Sequence, residues 1–329
     1  MRKILFSLAL CGVFALLGAC GGSKTSASES EESESSVLTQ SSEESVESSE
    51  QGPIYVNNAE LGEYFTGMQN GNVLYVASHA TVDTTHSLGG TYIGEENVGE
   101  IIIDGDESFA ILEATGGGVG AIKAREGSSL TFKNLTINDL SAGSSSEDRR
   151  EGYLEFGGKL RFENCTFDCA AYLCDDADAE FINCEFNSGK ENMYAMWISD
   201  GSAIFKGCTF EGWRAIKLYE GSDNHYAFVQ PHYDVVSVTV DGCTFENLKK
   251  KPGIAIDVFQ GKETAITIKN SEFYGCSVWS ADSYEGLSTV YESDVDTSTL
   301  TFTIENVATD DGLVDWETDR EFGLGKPNA

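Results

Sequence analysis

The sequence predicts an all-β fold, a parallel β-helix of stacked coils with a short helix capping its N-terminal end. Three observations lead to this prediction. A short sequence motif, called the phrase below, occurs eight times along the chain. Apolar residues alternate within each copy, and a second short apolar strand lies between copies. A repeated unit that cannot bury its own apolar face is typical of a solenoid.

The clearest copy of the phrase is residues 160–167, with the sequence LRFENCTF. Its apolar residues alternate up to Asn164 and resume after it, which indicates a strand, a bend and a return to the interior. The central Asn or Gly recurs after 29, 30, 19, 24, 35, 28 and 36 residues, so loops of variable length join the coils. The other copies lie at residues 101–105, 130–137, 179–186, 203–210, 238–245, 266–273 and 302–307.

Between the copies lies a second short strand, seen at residues 195–198, 215–218 and 255–258. Two strands per coil, with no helical period between them, favour a parallel β-helix over a leucine-rich repeat. With these features the chain resembles the right-handed parallel β-helix superfamily typified by pectate lyases and polygalacturonases, over about residues 100–310. The resemblance implies the fold and no particular activity, because the repeated phrase describes stacking rather than chemistry.

The N-terminal residues predict export and a lipid anchor. Residues 1–19 combine Arg2 and Lys3 with a short apolar run, as a secretory signal peptide does. The following Cys20 stands after Leu-Gly-Ala and resembles the bacterial lipobox, which implies that it receives lipid and becomes the mature N-terminus. Cleavage near Ala19 with an unmodified Cys20 is the alternative. The expected location is the extracellular face of a bacterial membrane.

The remaining chain divides by composition. Residues 20–52 are mostly Ser, Gly, Thr and Glu, which cannot bury enough apolar surface to order, so they predict a disordered tether. Residues 53–100 are expected to form the N-terminal cap and the first coil, 101–310 the β-helix, and 311–329 a C-terminal cap or tail. The cap helix is predicted from Asn58 as N-cap, followed by apolar residues at helical spacing. These residues are Leu61, Tyr64, Phe65 and Met68.

The formal net charge of −33 restricts the partners. Nucleic acid is not an expected partner of so acidic a chain. An anionic polysaccharide would also be repelled unless Ca²⁺ or a local basic patch intervened. Asp175, Asp176 and Asp178 are the candidate Ca²⁺ ligands, with an acidic surface bend as the alternative.

Four cysteines occupy equivalent positions in successive phrases, directly after the Asn or Gly, and are expected to stack as buried thiols. They are Cys165, Cys184, Cys208 and Cys243. A disulfide between Cys169 and Cys174 remains open, since an extracellular location would permit it. The Asn or Gly of each phrase is expected at positive φ, where the Asn amide can bond to the next coil.

The long loops after each phrase are expected to share one corner of the coil and to carry function. Aromatic rings and cations there are what a sugar chain needs for stacking and hydrogen bonding. The candidate glycan-binding residues are Trp213, Trp279, Tyr194, Lys249 and Lys250. Acidic residues in the same loops make this patch mixed in charge.

Residues 219–234 form the best catalytic candidate, because they are rich in groups that transfer protons. Tyr226-Ala-Phe228 with Pro231-His232 resembles the Tyr-Gly-Phe-Asp-Pro-His motif of β-helical mannuronan epimerases, but the Asp is missing. The resemblance implies that Tyr226 and His232 act on the C5 proton of a uronate, with a chance likeness in an aromatic loop as the alternative. Arg214 and Lys217 resemble a spaced form of the polygalacturonase Arg-Ile-Lys motif and are the other candidate catalytic residues. The polygalacturonase Gly-His-Gly motif and the pectate lyase Arg-x-Pro-x-x-Arg motif are absent.

The sequence therefore predicts a lipid-anchored surface protein whose loops bind extracellular carbohydrate or another surface partner without catalysis. The alternative is a polysaccharide-active enzyme, namely a lyase, epimerase or hydrolase of uronate-containing glycans. A structural surface spacer is a third interpretation.

Overall fold

Each full coil of this protein contains three short strands rather than the two predicted. The computed structural model describes residues 53–65, 67–83, 91–93, 96–106, 109–115, 121–139, 153–188, 193–220, 235–249, 253–258, 264–281, 300–310 and 312–313. The predicted signal peptide, Cys20 and the tether lie outside these residues. All strand pairs are parallel except the last.

Sheet I contains the strands that lead up to the Asn or Gly of each phrase. The strands of successive coils, here called rungs, pair with one another in register. Its strands are β1 (Ile54–Val56), β3 (Asn72–Val76), β6 (Gly99–Asp104), β9 (Ser128–Lys133), the second halves of β11 (Tyr153–Glu163) and β13 (Ala170–Ile182), β16 (Gly201–Lys206), β19 (Val235–Asp241), β22 (Thr264–Lys269) and β25 (Leu300–Glu305).

Sheet II contains the strands that follow the Asn or Gly, many of them only two residues long. Its strands are β2 (Ala59–Glu60), β4 (His79–Asp83), β7 (Ala110–Thr115), β10 (Leu135–Asp139), β12 (Thr166–Phe167), β14 (Glu185–Ser188), β17 (Thr209–Gly212), β20 (Thr244–Phe245), β23 (Glu272–Phe273), β26 (Ala308–Thr309) and β27 (Gly312–Leu313).

Sheet III contains the strands between one phrase and the next. Its strands are β5 (Thr91–Ile93), β8 (Ala121–Ala124), the first halves of β11 and β13, β15 (Tyr194–Ile198), β18 (Arg214–Glu220), β21 (Ile254–Val258) and β24 (Trp279–Ala281). The long strands β11 and β13 run from sheet III into sheet I, and a register shift between Gly157 and Lys159 marks this bend. From β5 onward, the chain thus passes from sheet III to sheet I to sheet II in each coil.

The Asn corners between sheets I and II confirm the predicted ladder. Asn164 has φ +52°, and its Nδ2 donates to Oδ1 of Asn134 at 3.2 Å. Asn306 donates in the same way to Asn270 at 3.0 Å. Gly207 lies at this corner with φ +62° in another coil, as expected for a position that favours Asn or Gly. Gly105 departs from the prediction, because it does not have positive φ and the following Asp106 has φ +53° instead.

The interior is filled by side chains that repeat from rung to rung. In sheet II, Phe167, Phe186, Phe210, Phe245 and Phe273 are stacked face to face, with ring centroids 4.3–4.8 Å apart. A second stack in sheet I runs from Phe132 to Phe205 at 4.8–4.9 Å. The two stacks meet edge to face, for example between Phe205 and Phe210. Aromatic pairs of both geometries add stability beyond the area they bury.

The four cysteines of the phrase form the predicted buried thiol row. Burial raises the pKa of the Cys184 thiol, and contact with the neighbouring Cys184 raises the pKa of Cys208 to about 12. The thiols of Cys184 and Cys208 therefore stay protonated at physiological pH, and the buried cysteines pack as small apolar groups. Cys169 and Cys174 are also buried thiols in this structure and do not form the disulfide that had remained open.

The predicted N-terminal cap helix is wrong. Residues 59–60 form strand β2, and only Leu61–Tyr64 form a helical turn, which is of the 3-10 type. Asn58 lies at φ +50° before β2 and is not an N-cap. Leu61, Phe65 and Met68 are nonetheless buried in the core, so the apolar spacing reflects packing against the first rungs. The first rung is β1, which pairs with β3.

At the other end, β27 pairs antiparallel with β26 and closes the edge of sheet II. The rest of residues 311–329 lies outside the described part. Among the described residues, there is no helix with the length and apolar character needed to span a membrane.

The outer face of sheet I carries charges whose sign alternates between rungs. The aligned residues are Asp104, Lys133 and Glu163, and further along Lys206, Asp241, Lys269 and Glu305. Lys133 lies 3.1 Å from Glu163, and Lys269 lies 3.3 Å from Asp241. Opposite charges on neighbouring strands favour this register over a slipped one.

Two of these carboxylates give a pH-dependent prediction. The Asn270 amide and the Lys269 ammonium lower the pKa of Asp241. Burial raises the pKa of Glu163, but hydrogen bonds from Arg161 and Lys133 outweigh it, so the net shift is downward. A lowered folded-state pKa stabilises the fold above the unfolded pKa of about 4, and this contribution is lost as the pH falls through the folded value.

Thermal unfolding should therefore show a melting-temperature difference between wild type and Glu163→Gln that is largest above pH 5 and shrinks towards pH 2. Comparing the two chains at each pH cancels the repulsion among the other acids. A difference that stays constant from pH 7 to pH 2 would contradict the ion-pair explanation.

Candidate functional site

The long loops predicted after the phrases begin at one corner of the coil, where a strand of sheet II is followed by a strand of sheet III. Segments 138–152, 187–194, 211–214 and 246–253 each join two such strands, although only Trp213 lies between the strands at 211–214. Segment 274–287 does so only as far as β24, because residues 282–287 follow that strand and lie outside the described residues. This corner, here called the II/III corner, therefore borders the outer face of sheet III along the stack.

The outer face of sheet III carries a cluster of large aromatic residues that is buried rather than solvated. Tyr153, Tyr172, Tyr194 and Trp197 pack together there with Cys174, Met193 and two alanines. The ring of Trp197 makes edge contacts with Tyr153 at 5.3 Å and with Tyr172 at 5.4 Å. We refer to these residues as the sheet III aromatic cluster. Outer faces of the other two sheets instead carry Thr, Asn and charged residues.

Two cations belong to this cluster. Nη1 of Arg214 donates to the hydroxyl of Tyr194 at 3.0 Å, and the guanidinium lies 5.1 Å from the centre of the same ring. Nζ of Lys217 lies 4.9 Å from the ring centre of Trp197 and 5.6 Å from that of Tyr194. Lys217 is only 1% exposed, whereas Arg214 is partly exposed. Aromatic faces attract cations at such distances, most strongly where water is excluded.

These contacts follow from the register of sheet III. Tyr194 is paired with Arg214, and Trp197 with Lys217, on the neighbouring strands β15 and β18. The next strand places Ala255 beside Lys217, so a small residue leaves room for the lysine. The sequence predicted functional roles for Arg214, Lys217 and Tyr194, and the structure brings these three together.

Other polar groups are buried around the cluster. Glu155 is paired with Tyr172, and Sγ of Cys174 lies 3.9 Å from Oε2 of Glu155. The Tyr172 hydroxyl is hydrogen-bonded to Ser199, whose Oγ donates to the carbonyl of Leu173 at 3.3 Å. Buried ionisable groups concentrate at functional sites because their environment tunes them. The cluster therefore differs from a purely structural apolar patch.

The remaining predicted residues are placed differently. Trp279 is a core residue, 8% exposed and stacked on Phe302 at 4.9 Å, so it is not the surface ring that the sequence suggested. Its register explains the error, because Trp279 pairs with Ile254, whose side chain points inward. Trp213 is partly exposed and Lys249 is exposed. Tyr226, His232 and Lys250 lie outside the described residues.

The proposed Ca²⁺ ligands give no assembled centre in the described part of the chain. Asp176 and Asp178 are exposed, and the side chain of Asp175 lies outside the described residues. The backbone N–H of Asp176, at φ +53°, donates to Oδ2 of Asp200 at 2.9 Å. No group of three potential metal ligands occurs among the described side chains.

Sequence reasoning missed four members of the site: Tyr153, Glu155, Tyr172 and Trp197. A signal was present, since Tyr194–Ile198 and Tyr153–Phe156 lack the apolar–polar alternation of a strand with one solvated face. Continuous burial on both faces of a solenoid strand indicates that its outer face is covered.

Comparison with known proteins supports the fold. Residues 153–302 match a family model described as the right handed beta helix region, which is slightly less than half of the chain. The search of curated proteins found no match, and the search of solved structures found none either. The matched region contains the whole sheet III aromatic cluster. Together with the parallel sheets, the match supports a right-handed parallel β-helix superfamily assignment, and no specific enzyme family is matched.

Proposed function

We propose that this right-handed parallel β-helix protein binds extracellular carbohydrate at the II/III corner without catalysis, and that lipid on Cys20 holds it at a bacterial membrane. The observation that carries the proposal is the fixed guanidinium of Arg214. Arg214 is partly exposed, whereas Tyr194, whose hydroxyl accepts its hydrogen bond, is 3% exposed.

A held arginine is suited to sugars for two reasons. Its planar fork donates to hydroxyl or carboxylate oxygens with defined geometry. Fixing it before the ligand arrives reduces the entropy lost on binding. The partly exposed Trp213 precedes it in the chain and offers an aromatic face at the same corner.

The position of Arg214 in the stack supports the same function. It begins β18, which pairs with β15 on one side and β21 on the other, so regular sheet holds the site. Sites on rigid strands orient ligands more accurately than sites on free loops. Variable loops around a fixed strand edge can then adapt the corner to one glycan.

A polysaccharide-active enzyme is the second candidate, favoured by the buried Glu155 and Lys217 on the outer face of sheet III. A carboxylate and an amine in such surroundings are groups that can transfer protons to or from a sugar. The alternative uses the same surface and differs in its product, because an enzyme shortens or alters the chain that it binds.

The test is binding of neutral and uronate polysaccharides to the chain from residue 21 onward, with and without Ca²⁺, followed by product analysis. Arg214→Ala should weaken retention of the bound polysaccharide at least tenfold, since each tenfold corresponds to about 1.4 kcal/mol and one charged hydrogen bond supplies about that much.

Arg161→Ala is the matched control, because Arg161 pairs with Glu163 on sheet I, away from the corner. It should leave binding unchanged. Equal affinity of the two variants would remove Arg214 from the site. Shortened polysaccharide would support the enzyme instead, and no binding to any polysaccharide would contradict both.

A further inference from the structure

A groove of about 350 Å³ lies on the outer face of sheet II, directly before the II/III corner. From it we infer that this protein has a subsite for an uncharged, hydroxyl-rich sugar residue. The inference rests on the proposed carbohydrate binding and specifies its class of ligand. The groove is lined by Glu185, Asn187, Thr209, Glu211 and Gly212.

Two neighbouring rungs build the groove. Glu185 is paired with Thr209, and Asn187 with Glu211, on strands β14 and β17. The two carboxylates therefore occupy diagonal positions, whose separation in a sheet is about 7–8 Å. Between these outward residues, Phe186 and Phe210 point inward and stack with an interplanar angle of 3°. The floor of the groove is thus as rigid as the core beneath it.

Gly212 keeps the corner end of the groove open. It is paired with Ser188, has φ +106°, and adds no side chain where the chain turns towards sheet III. Its carbonyl accepts a hydrogen bond from the backbone N–H of Lys249 at 2.9 Å, which fixes this edge. Trp213 and Arg214 follow immediately, so a ligand at the corner is within reach of the groove.

The lining chemistry fits hydroxyl groups. Two carboxylates accept charge-assisted hydrogen bonds, an amide both donates and accepts, and a threonine hydroxyl does the same. A volume of 350 Å³ lies at the lower end of the range for small-ligand sites, about 300–1,000 Å³. This combination matches one sugar residue of a chain rather than a long segment.

The same lining disfavours an acidic sugar. No cation occurs among the described residues that line the groove, and no described strand of sheet II contains Lys or Arg. A uronate placed in the groove would face two carboxylates in a field made negative by the whole sheet. The cations at the rim, Arg214 and Lys249, remain able to donate to hydroxyls outside it.

The experiment compares galactomannan, which is uncharged, with polygalacturonate, using the chain from residue 21 onward. Wild type should bind galactomannan more tightly. Glu211→Gln keeps the shape but removes one charge, so it should weaken galactomannan binding about fivefold to tenfold and strengthen polygalacturonate binding. Glu113→Gln is the matched control, because Glu113 faces outward from the same sheet on β7, where it contacts His79.

The outcomes separate the two proposals. Tighter binding of polygalacturonate by wild type would overturn the uncharged-sugar subsite while leaving carbohydrate binding intact. Unchanged affinities in Glu211→Gln would also overturn the subsite, since the ligand would then lie elsewhere. Binding of neither polymer, nor of any other glycan, would overturn both.

Discussion

Replacing Phe210 with alanine is expected to lower the free energy of unfolding by about 3–5 kcal/mol, the usual cost of a large cavity in a core. Phe210 is completely buried and stacks on Phe186 at 4.5 Å and on Phe245 at 4.7 Å. Because rungs on both sides hold these rings in place, the stack cannot collapse into the space left by the missing ring. Urea unfolding followed by circular dichroism measures the loss.

Phe109→Ala is the matched control, since the same atoms are removed from a ring that is 51% exposed. Its free energy of unfolding should change by less than about 0.5 kcal/mol. Equal losses in the two variants would show that the phenylalanine stack contributes no more than surface apolar contact. A changed slope with denaturant would instead indicate that the stack had begun to unfold in parts.

Gly201→Ala is expected to be the second most damaging change. Gly201 lies at φ +74°, and a Cβ there would come within 2.0 Å of the carbonyl oxygen of Ala177. The contact is with backbone in the neighbouring rung, which cannot rotate away. The variant should lose about 1–2 kcal/mol from the left-handed conformation and a further 1–3 kcal/mol or more from the clash.

Gly71→Ala isolates the first of these costs. Gly71 has nearly the same conformation, φ +77°, but a Cβ there would meet no atom within 4 Å. Thermal unfolding should show a clearly smaller loss for Gly71→Ala than for Gly201→Ala. If the two losses were equal, the close approach of the rungs at residues 177 and 201 would have no energetic weight.

The repeated phrase could be recognised from the sequence because its structural requirements are met by residues close together in the chain. Most corners need positive φ and are taken by Asn or Gly, and the alternating apolar residues need an interior, so both features recur along the stack. The third strand was missed because it can be as short as Thr166–Phe167, the last two residues of the phrase at 160–167. The helix at residues 58–68 was predicted from Asn58 as N-cap and from apolar spacing, and strand pairing of Ala59 and Glu60 with β4 overrode it.

The candidate site was only partly readable, for a physical reason. Arg214 and Lys217 stood out as cations beside aromatic residues, but their partner Trp197 did not, because that contact runs between rungs. Trp279 was misplaced since the sequence does not state which face of a short strand points inward. The groove at Glu185 and Glu211 depends on register between coils 24 residues apart and could not be found before the strands were paired.

The spacing of the phrase also governs how the chain folds. Successive corners are 19 to 36 residues apart, so each rung pairs with a segment close in sequence and no long loop must close first. Closing loops of that length costs less entropy than closing loops that span the domain, so pairing of neighbouring coils is easier than pairing of distant strands. A pair of phenylalanine-bearing rungs can act as a nucleus that lengthens by one coil at a time in either direction. Some coils can thus form before the others have paired, and the folding intermediates are expected to be shorter versions of the same stack.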